Sequence, residues 1–164
     1  MPHKLLAILT VLVSVFTFGS LANANTEYVL DIQVKRNGSV IWAFSSPVVD
    51  HQRFGASQSA DLAAVREVFV ANPKHAPVDS GVDVRGAFLG ASDSDVKTGQ
   101  FHWYVEQVLG YNPLLGDNAE PDKAVVEFST METLEVGKPV RREVLWNSNV
   151  SSFTIDLLLR HANQ

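Results

Sequence analysis

Apolar and polar residues alternate in two runs near the start of the chain, and Asn37-Gly38 separates the runs. In both runs the apolar residues occupy even positions: Tyr28, Leu30, Ile32, Val34, Val40, Trp42 and Phe44. A period of two is typical of a strand that buries one face. The pattern therefore predicts two strands over residues 28–44, joined as a hairpin.

The positions of the apolar residues also predict how this hairpin turns. A two-residue turn at Asn37-Gly38 would pair even positions with odd ones and divide the apolar residues between both faces. A three-residue loop over 36–38 instead places Val34 opposite Val40, which keeps one face apolar. We therefore predict a loop of three residues with a glycine bulge at Gly38, where a left-handed backbone conformation has no steric cost.

Similar alternation recurs about every ten residues along the rest of the chain, between clusters of Pro, Gly, Asn and Asp. It predicts strands over 82–88 and 124–128, and a closing hairpin of 140–146 and 153–159 around a turn at 147–149. Short strands at such intervals are characteristic of a sandwich. The predicted fold is mainly β, a single-domain antiparallel β-sandwich of about seven to nine strands.

Two segments fit both helical and strand periodicity. Residues 59–70 can form a helix with Leu62, Val65 and Phe69 on one stripe, or a strand, which the β-branched residues favour in the second half. A helix there would make the fold α+β, which is the alternative architecture. Residues 101–109 also fit both patterns, and a strand is favoured because the neighbouring segments are strands.

The first 24 residues have the pattern of a secretory signal peptide. Lys4 precedes an uncharged apolar stretch, and Ala22-Asn23-Ala24 has the small-x-small form of a cleavage site. A retained membrane anchor is the alternative, because 18 uncharged residues reach the lower limit for spanning a bilayer. Cleavage after Ala24 would leave residues 25–164 as one exported domain, periplasmic or extracellular, with no membrane insertion.

Charge and composition exclude several classes of partner. The 164-residue chain has a formal charge of −5, and loss of Lys4 with the signal peptide makes it −6. This acidic balance argues against binding to nucleic acid or anionic lipid, whose phosphates select clustered Lys and Arg. The chain has no cysteine, so an exported form would fold without disulfides. No cofactor is predicted, and the histidines are not spaced as zinc ligands.

Two leucines interrupt otherwise polar strand faces near the C-terminus. Leu145 and Leu158 share the predicted outer faces of their strands with charged residues that include Arg141. An apolar patch on a polar face is typical of a contact surface. The leading hypothesis is a non-catalytic binding or adaptor module that contacts another cell-envelope protein through a sheet edge or through the closing hairpin.

A cluster of rings supports a second hypothesis, a binder of small molecules or carbohydrates. His102, Trp103 and Tyr104 are consecutive, and exposed rings among them could stack on a ligand. The competing interpretation is that Trp103 belongs to the core and Tyr104 half-covers it.

A small secreted hydrolase is the third hypothesis. It would use His102 or His51 as a base, with Asp93 or Asp95 nearby. The sequence contains no nucleophile elbow, phosphate-binding loop or dinucleotide fingerprint, so a non-catalytic role is favoured. No stretch of the chain carries a motif that assigns it to a family.

Overall fold

The computed structural model describes residues 27–89, 95–112, 120–145 and 152–163, which form eight strands and one helix. The elements are β1 (Tyr28–Arg36), β2 (Ser39–Pro47), β3 (Arg53–Ser59), α1 (Leu62–Ala71), β4 (Val78–Leu89), β5 (Val96–Gly110), β6 (Asp122–Glu135), β7 (Val140–Val144) and β8 (Phe153–His161). The predicted signal peptide and the predicted turn at 147–149 lie outside the described residues.

The strands form two antiparallel sheets of four. Sheet A has the order β2-β1-β8-β7, so the first and last hairpins of the chain join through β1 and β8. Sheet B has the order β3-β4-β5-β6 and contains the middle of the chain as a meander. This architecture confirms the predicted mainly β, antiparallel sandwich, with a strand number inside the predicted range.

The core lies between the two sheets and consists of the inward residues of their central strands. From sheet A, β1 and β8 supply these buried side chains: Tyr28, Leu30, Ile32, Val34, Phe153, Ile155, Leu157 and Leu159. From sheet B, β4 and β5 supply Val82, Val84, Phe88, Phe101, Trp103 and Val105. Burial of these apolar surfaces is the main favourable contribution to folding.

Two ion pairs with a buried member connect the sheets at the rim of this core. Arg36 of β1 is 2.5 Å from Asp79 of β4, and the Arg36 side chain is 9% exposed. Arg142 of β7 donates two hydrogen bonds to Glu132 of β6, whose side chain is 3% exposed. Removing one partner of such a pair is strongly destabilising, because the other charge remains buried. These residues therefore have a structural role.

The first hairpin differs from the prediction in its turn and in its bulge. Asn37 and Gly38 have φ values of 50° and 81°, which suit a two-residue type I′ turn, and the strands close directly beside them. The pairing shifts further along, where Val34 lies opposite Trp42 rather than Val40. This bulge, not a third loop residue, brings even positions opposite even positions. The apolar face is confirmed except at Val40, which lies opposite Lys35 and is 52% exposed, and the predicted register and loop length are wrong.

The segment over 59–70 is helical from residue 62 onward, so the strand favoured for its second half is wrong. Asp61 begins α1 as its N-cap, since its Oδ1 accepts a hydrogen bond from the backbone N–H of Ala63 at 2.9 Å. Val65 and Phe69, one helical turn apart, are buried beside Val108 of β5. Contact with sheet B outweighs the low helix propensity of the β-branched residues.

The segment over 101–109 lies within β5, which confirms the favoured strand. Phe101, Trp103 and Val105 point inward and are buried, whereas His102 and Tyr104 lie on the outer face of sheet B. The pairs that β5 forms with β4 and β6 decide which side chains become neighbours on that face.

Candidate functional site

Two groups of charged side chains cover the outer face of sheet A. Asp31 accepts hydrogen bonds from Arg160 Nε at 2.6 Å and from Ser45 Oγ at 2.5 Å. Asp156 accepts from Arg141 Nε at 2.7 Å and from Lys35 Nζ at 2.8 Å. Strand pairing creates both groups, because each donor belongs to a strand adjacent to that of the carboxylate.

These partners keep both carboxylates ionised. The hydrogen bonds from Arg141 and Lys35 lower the pKa of Asp156 from 3.8 to about 2, against the opposing effect of burial. Burial alone would raise the pKa of Asp31, but hydrogen bonds from Arg160 and Ser45 outweigh it and the net shift is downward. The outer face of sheet A therefore carries fixed, paired charges at neutral pH.

Leu158 lies between the two carboxylates on this face. It pairs directly with Asp31 and is two positions from Asp156 along β8. A depression of about 470 Å³ opens here, and its lining includes Gln33, Ala43, Pro139 and Leu158. We call it the Leu158 depression. Its lining combines apolar side chains with the two paired carboxylates.

The three residues predicted to contact a partner do not form one patch. Arg141 pairs with Asp156 and is therefore close to Leu158. Leu145 follows the last residue of β7, and that residue pairs with Phe153, five positions from Leu158. Five residues of a strand span about 16 Å. Leu145 is 81% exposed at that far end, whereas Leu158 is half-buried.

The structure corrects the prediction that Trp103 stacks on a ligand. Its side chain is 1% exposed and packs between the rings of Phe101 and Phe128 in the core. Its indole N–H donates to Thr130 Oγ1 at 3.2 Å, which satisfies the polar atom. The alternation of β5 turns it inward, so Trp103 is a core residue.

Tyr104, one position along β5, faces outward and is half-buried. Its hydroxyl donates to Glu106 Oε2 at 2.9 Å. Burial and this hydrogen bond to a carboxylate raise the pKa of Tyr104 above its usual value. The phenol therefore stays neutral over the physiological range and supplies one ring to the outer face of sheet B.

His102 is hydrogen-bonded on both sides of its ring. Its Nδ1 is 3.2 Å from Ser129 Oγ and its Nε2 is 3.0 Å from Glu127 Oε1. The carboxylate can only accept, so in neutral histidine Nε2 carries the proton and Nδ1 accepts from the serine hydroxyl. The order hydroxyl, imidazole, carboxylate is that of a proton relay, although His102 and Glu127 are 43% and 60% exposed.

Sequence reasoning missed Ser129 and Glu127 because they lie 27 and 25 positions from His102. The pairing of β5 with β6 places Ser129 directly opposite His102. Of the predicted acidic partners, Asp95 instead accepts from the hydroxyl of Tyr28, and Asp93 lies outside the described residues.

A shallow groove of about 530 Å³ lies beside His102 on the outer face of sheet B. We call it the β3 groove, and its outward residues are Arg53, Gly55, Ser57, Asp83, Arg85, Ala87, Gln100 and His102. Gly55 and Ser57 of β3 have no side chain or a small one, which leaves space above the sheet. Two arginines, a histidine, an amide and the carboxylate of Asp83 surround that space, so it can accept polar groups and, beside the arginines, negatively charged ones.

The described ranges contain no cluster of three or more His, Asp or Glu side chains placed to hold a metal ion. In the same part of the chain, no helix is long and apolar enough to cross a bilayer. Comparisons with protein-family models, with curated proteins and with solved structures give no match for this chain.

Proposed function

We propose that this protein is an exported, non-catalytic binding or adaptor module that contacts another protein of the cell envelope. The signal-peptide pattern of residues 1–24 supports export. The Leu158 depression is the observation that carries the proposal of a protein contact. The contact surface is the outer face of sheet A.

Leu158 is an apolar side chain at the centre of a largely polar surface. An apolar group at the centre of a contact gains free energy from desolvation, and polar groups around it exclude water. Here Asp31 and Asp156 flank the leucine, and Arg141 is 69% exposed at the side where it meets Asp156. The side chains that make these ion pairs are already ordered, so binding costs less conformational entropy.

Crosslinking in the producing cells tests this proposal. The mature chain is crosslinked, purified under denaturing conditions and compared with a Leu158→Ser variant by mass spectrometry. Met131→Ser is the matched control, because Met131 is 63% exposed on the outer face of sheet B. We expect one dominant envelope partner with wild type and with Met131→Ser, and at least a tenfold loss with Leu158→Ser.

Leu145→Ser is tested separately because Leu145, directly after β7, lies beside the opposite end of β8 from Leu158. Loss of the partner in both leucine variants would mean that the contact spans the length of the strand. Equal capture by wild type and Leu158→Ser would refute the proposed surface. Circular dichroism of each variant verifies the fold.

A small hydrolase is a second candidate, favoured by the hydrogen bonds of His102 to Ser129 and Glu127. In this role Ser129 would be the nucleophile, His102 the base and Glu127 the group that orients the base. Hydrolysis of p-nitrophenyl acetate tests it, with His102→Ala and Ser129→Ala as variants. A rate above buffer that both variants abolish would favour the hydrolase over the binding module.

A further inference from the structure

The four edge strands of the two sheets differ in how they are protected against pairing. The register of β2 shifts at a bulge, and the strand ends at Pro47. β7 has only five residues, of which three are charged, and β6 carries five charged residues along its length. Bulges, prolines, short strands and charges are the devices that block addition of a further strand.

β3 is the least protected of the four edge strands. It pairs with β4 on one side only and keeps one register over its seven residues. Its sequence, RFGASQS, contains no proline and one charged residue, Arg53, at the first position. The backbone N–H and C=O groups on its open side can therefore form a ladder with an added strand.

The side chains beside this edge indicate what such a strand carries. Arg53 has no carboxylate partner among the described residues, and Arg85 is 74% exposed although its Nε donates to Asp83 at 3.1 Å. The β3 groove thus holds two guanidinium groups and one carboxylate, in a chain whose formal charge is −5. Guanidinium groups bind carboxylates with two parallel hydrogen bonds.

Gly55 has no side chain, so the space between an added strand and Arg85 is free. It pairs with Arg85 across β3 and β4 and lies on the outer face. An added strand would lie about 10 Å from β4, two strand spacings away. An extended Glu and an extended Arg side chain can meet across that distance, and no side chain of Gly55 stands between them. Ser57, the next outward residue, is also small.

We propose that β3 is a docking edge for an extended acidic peptide segment, with a Glu or Asp side chain of the segment lying across Gly55 and bound by Arg53 and Arg85. The backbone ladder would supply affinity, and the two arginines would select the acidic side chain. This surface belongs to sheet B and is independent of the Leu158 depression. With both sites, the domain could join two partners.

Fluorescence anisotropy with synthetic strands tests the proposal. The probe is a fluorescein-labelled octapeptide of alternating Thr and Glu, and its matched control has Gln in place of Glu. We expect the Glu probe to bind wild type at least tenfold more tightly than the Gln probe. A third probe, with alternate backbone nitrogens of the Glu peptide methylated, is expected to lose binding because it cannot form the ladder.

Three variants locate the site on the protein. The double variant Arg53→Gln/Arg85→Gln is expected to weaken the Glu probe at least tenfold and leave the Gln probe unchanged. Gly55→Leu is expected to do the same, because its side chain would block the path to Arg85. An added Cβ at this position meets only ordinary contacts, and circular dichroism verifies the fold of the variant. Lys138→Gln, which removes a charge at a 69% exposed site, is the control and should bind as wild type.

Several results would overturn the proposal. They are no binding of the Glu probe, equal binding of the Glu and Gln probes, undiminished binding of the methylated probe, or full binding by the arginine variant. A wild-type dimer that Gly55→Leu dissociates in sedimentation velocity would also overturn it, because a second copy of the chain would then occupy β3.

Discussion

Replacing Asp156 with Asn should weaken the fold at neutral pH and have little effect at low pH. The substitution keeps the size of the side chain but removes the negative charge. In the structure that charge accepts two hydrogen bonds from Arg141, at 2.7 and 3.1 Å, and one from Lys35 at 2.8 Å. These bonds join β7, β8 and β1 across the outer face of sheet A.

The pKa of Asp156 gives the size of the effect. It falls from 3.8 to about 2 on folding, and each pKa unit corresponds to about 1.36 kcal/mol. The side chain is 17% exposed, so solvent screening is limited. The charge therefore contributes roughly 2 kcal/mol to the free energy of unfolding at pH 7.

The sign follows from the direction of the shift. A carboxyl group whose pKa is lower in the folded state stabilises the fold above its unfolded pKa, and the contribution disappears as the pH falls through the folded pKa. The expected difference between wild type and Asp156→Asn is roughly 2 kcal/mol at pH 7, about 1 kcal/mol at pH 3 and below about 0.5 kcal/mol at pH 2.

Urea unfolding followed by tryptophan fluorescence measures these differences, because Trp42 and Trp103 are buried in the core. Asp83→Asn is the control, since among the described residues Asp83 accepts one side-chain hydrogen bond, from the exposed Arg85, and its replacement should change stability by less than about 0.5 kcal/mol. A difference for Asp156→Asn that is the same at pH 7 and pH 3 would refute the electrostatic explanation.

Two further predictions concern α1 and the core. Asp61→Ala removes the N-cap hydrogen bond of α1 and should lower the free energy of unfolding by about 1 kcal/mol. Asp61→Asn can still cap the helix and should lower it by less. Equal losses in the two variants would contradict the capping role. Gly86→Ala should cost about 1–3 kcal/mol, because the new Cβ would lie 2.6 Å from the Phe54 ring. Gly110→Ala, where nothing lies within 4 Å, is its control in the same urea titration, and equal effects of the two substitutions would rule out steric crowding.

The strands and their inward faces could be predicted from the sequence because alternation is a local property of the chain. The inward positions of β1, β5 and β8 follow from that rule. Residues 59–70 were ambiguous because both periods fit them. The Asp61 cap and the contact of Phe69 with Val108 stabilise the helix. The contact with Val108 depends on the neighbouring sheet.

The hairpin at Asn37-Gly38 shows what the alternation of apolar and polar residues can predict and what it cannot. The sequence required one apolar face, and the structure has it except at Val40, which the bulge places opposite Lys35. A third residue in the turn and a bulge further along the strand have the same effect, because each places even-numbered residues opposite even-numbered residues. The alternation of apolar residues does not distinguish a longer turn from a bulge. The residues opposite Ile32 and Val34 could therefore not be derived from the sequence.

The sequence by itself determined a chain of short alternating strands with a signal-peptide pattern and an acidic balance. The tertiary structure decided which strands are neighbours, and with them every candidate site. Leu158 lies beside Asp31 because β8 pairs with β1, and His102 lies beside Ser129 because β5 pairs with β6. A strand's faces depend on its own residues, whereas its neighbours depend on how all the strands pack together.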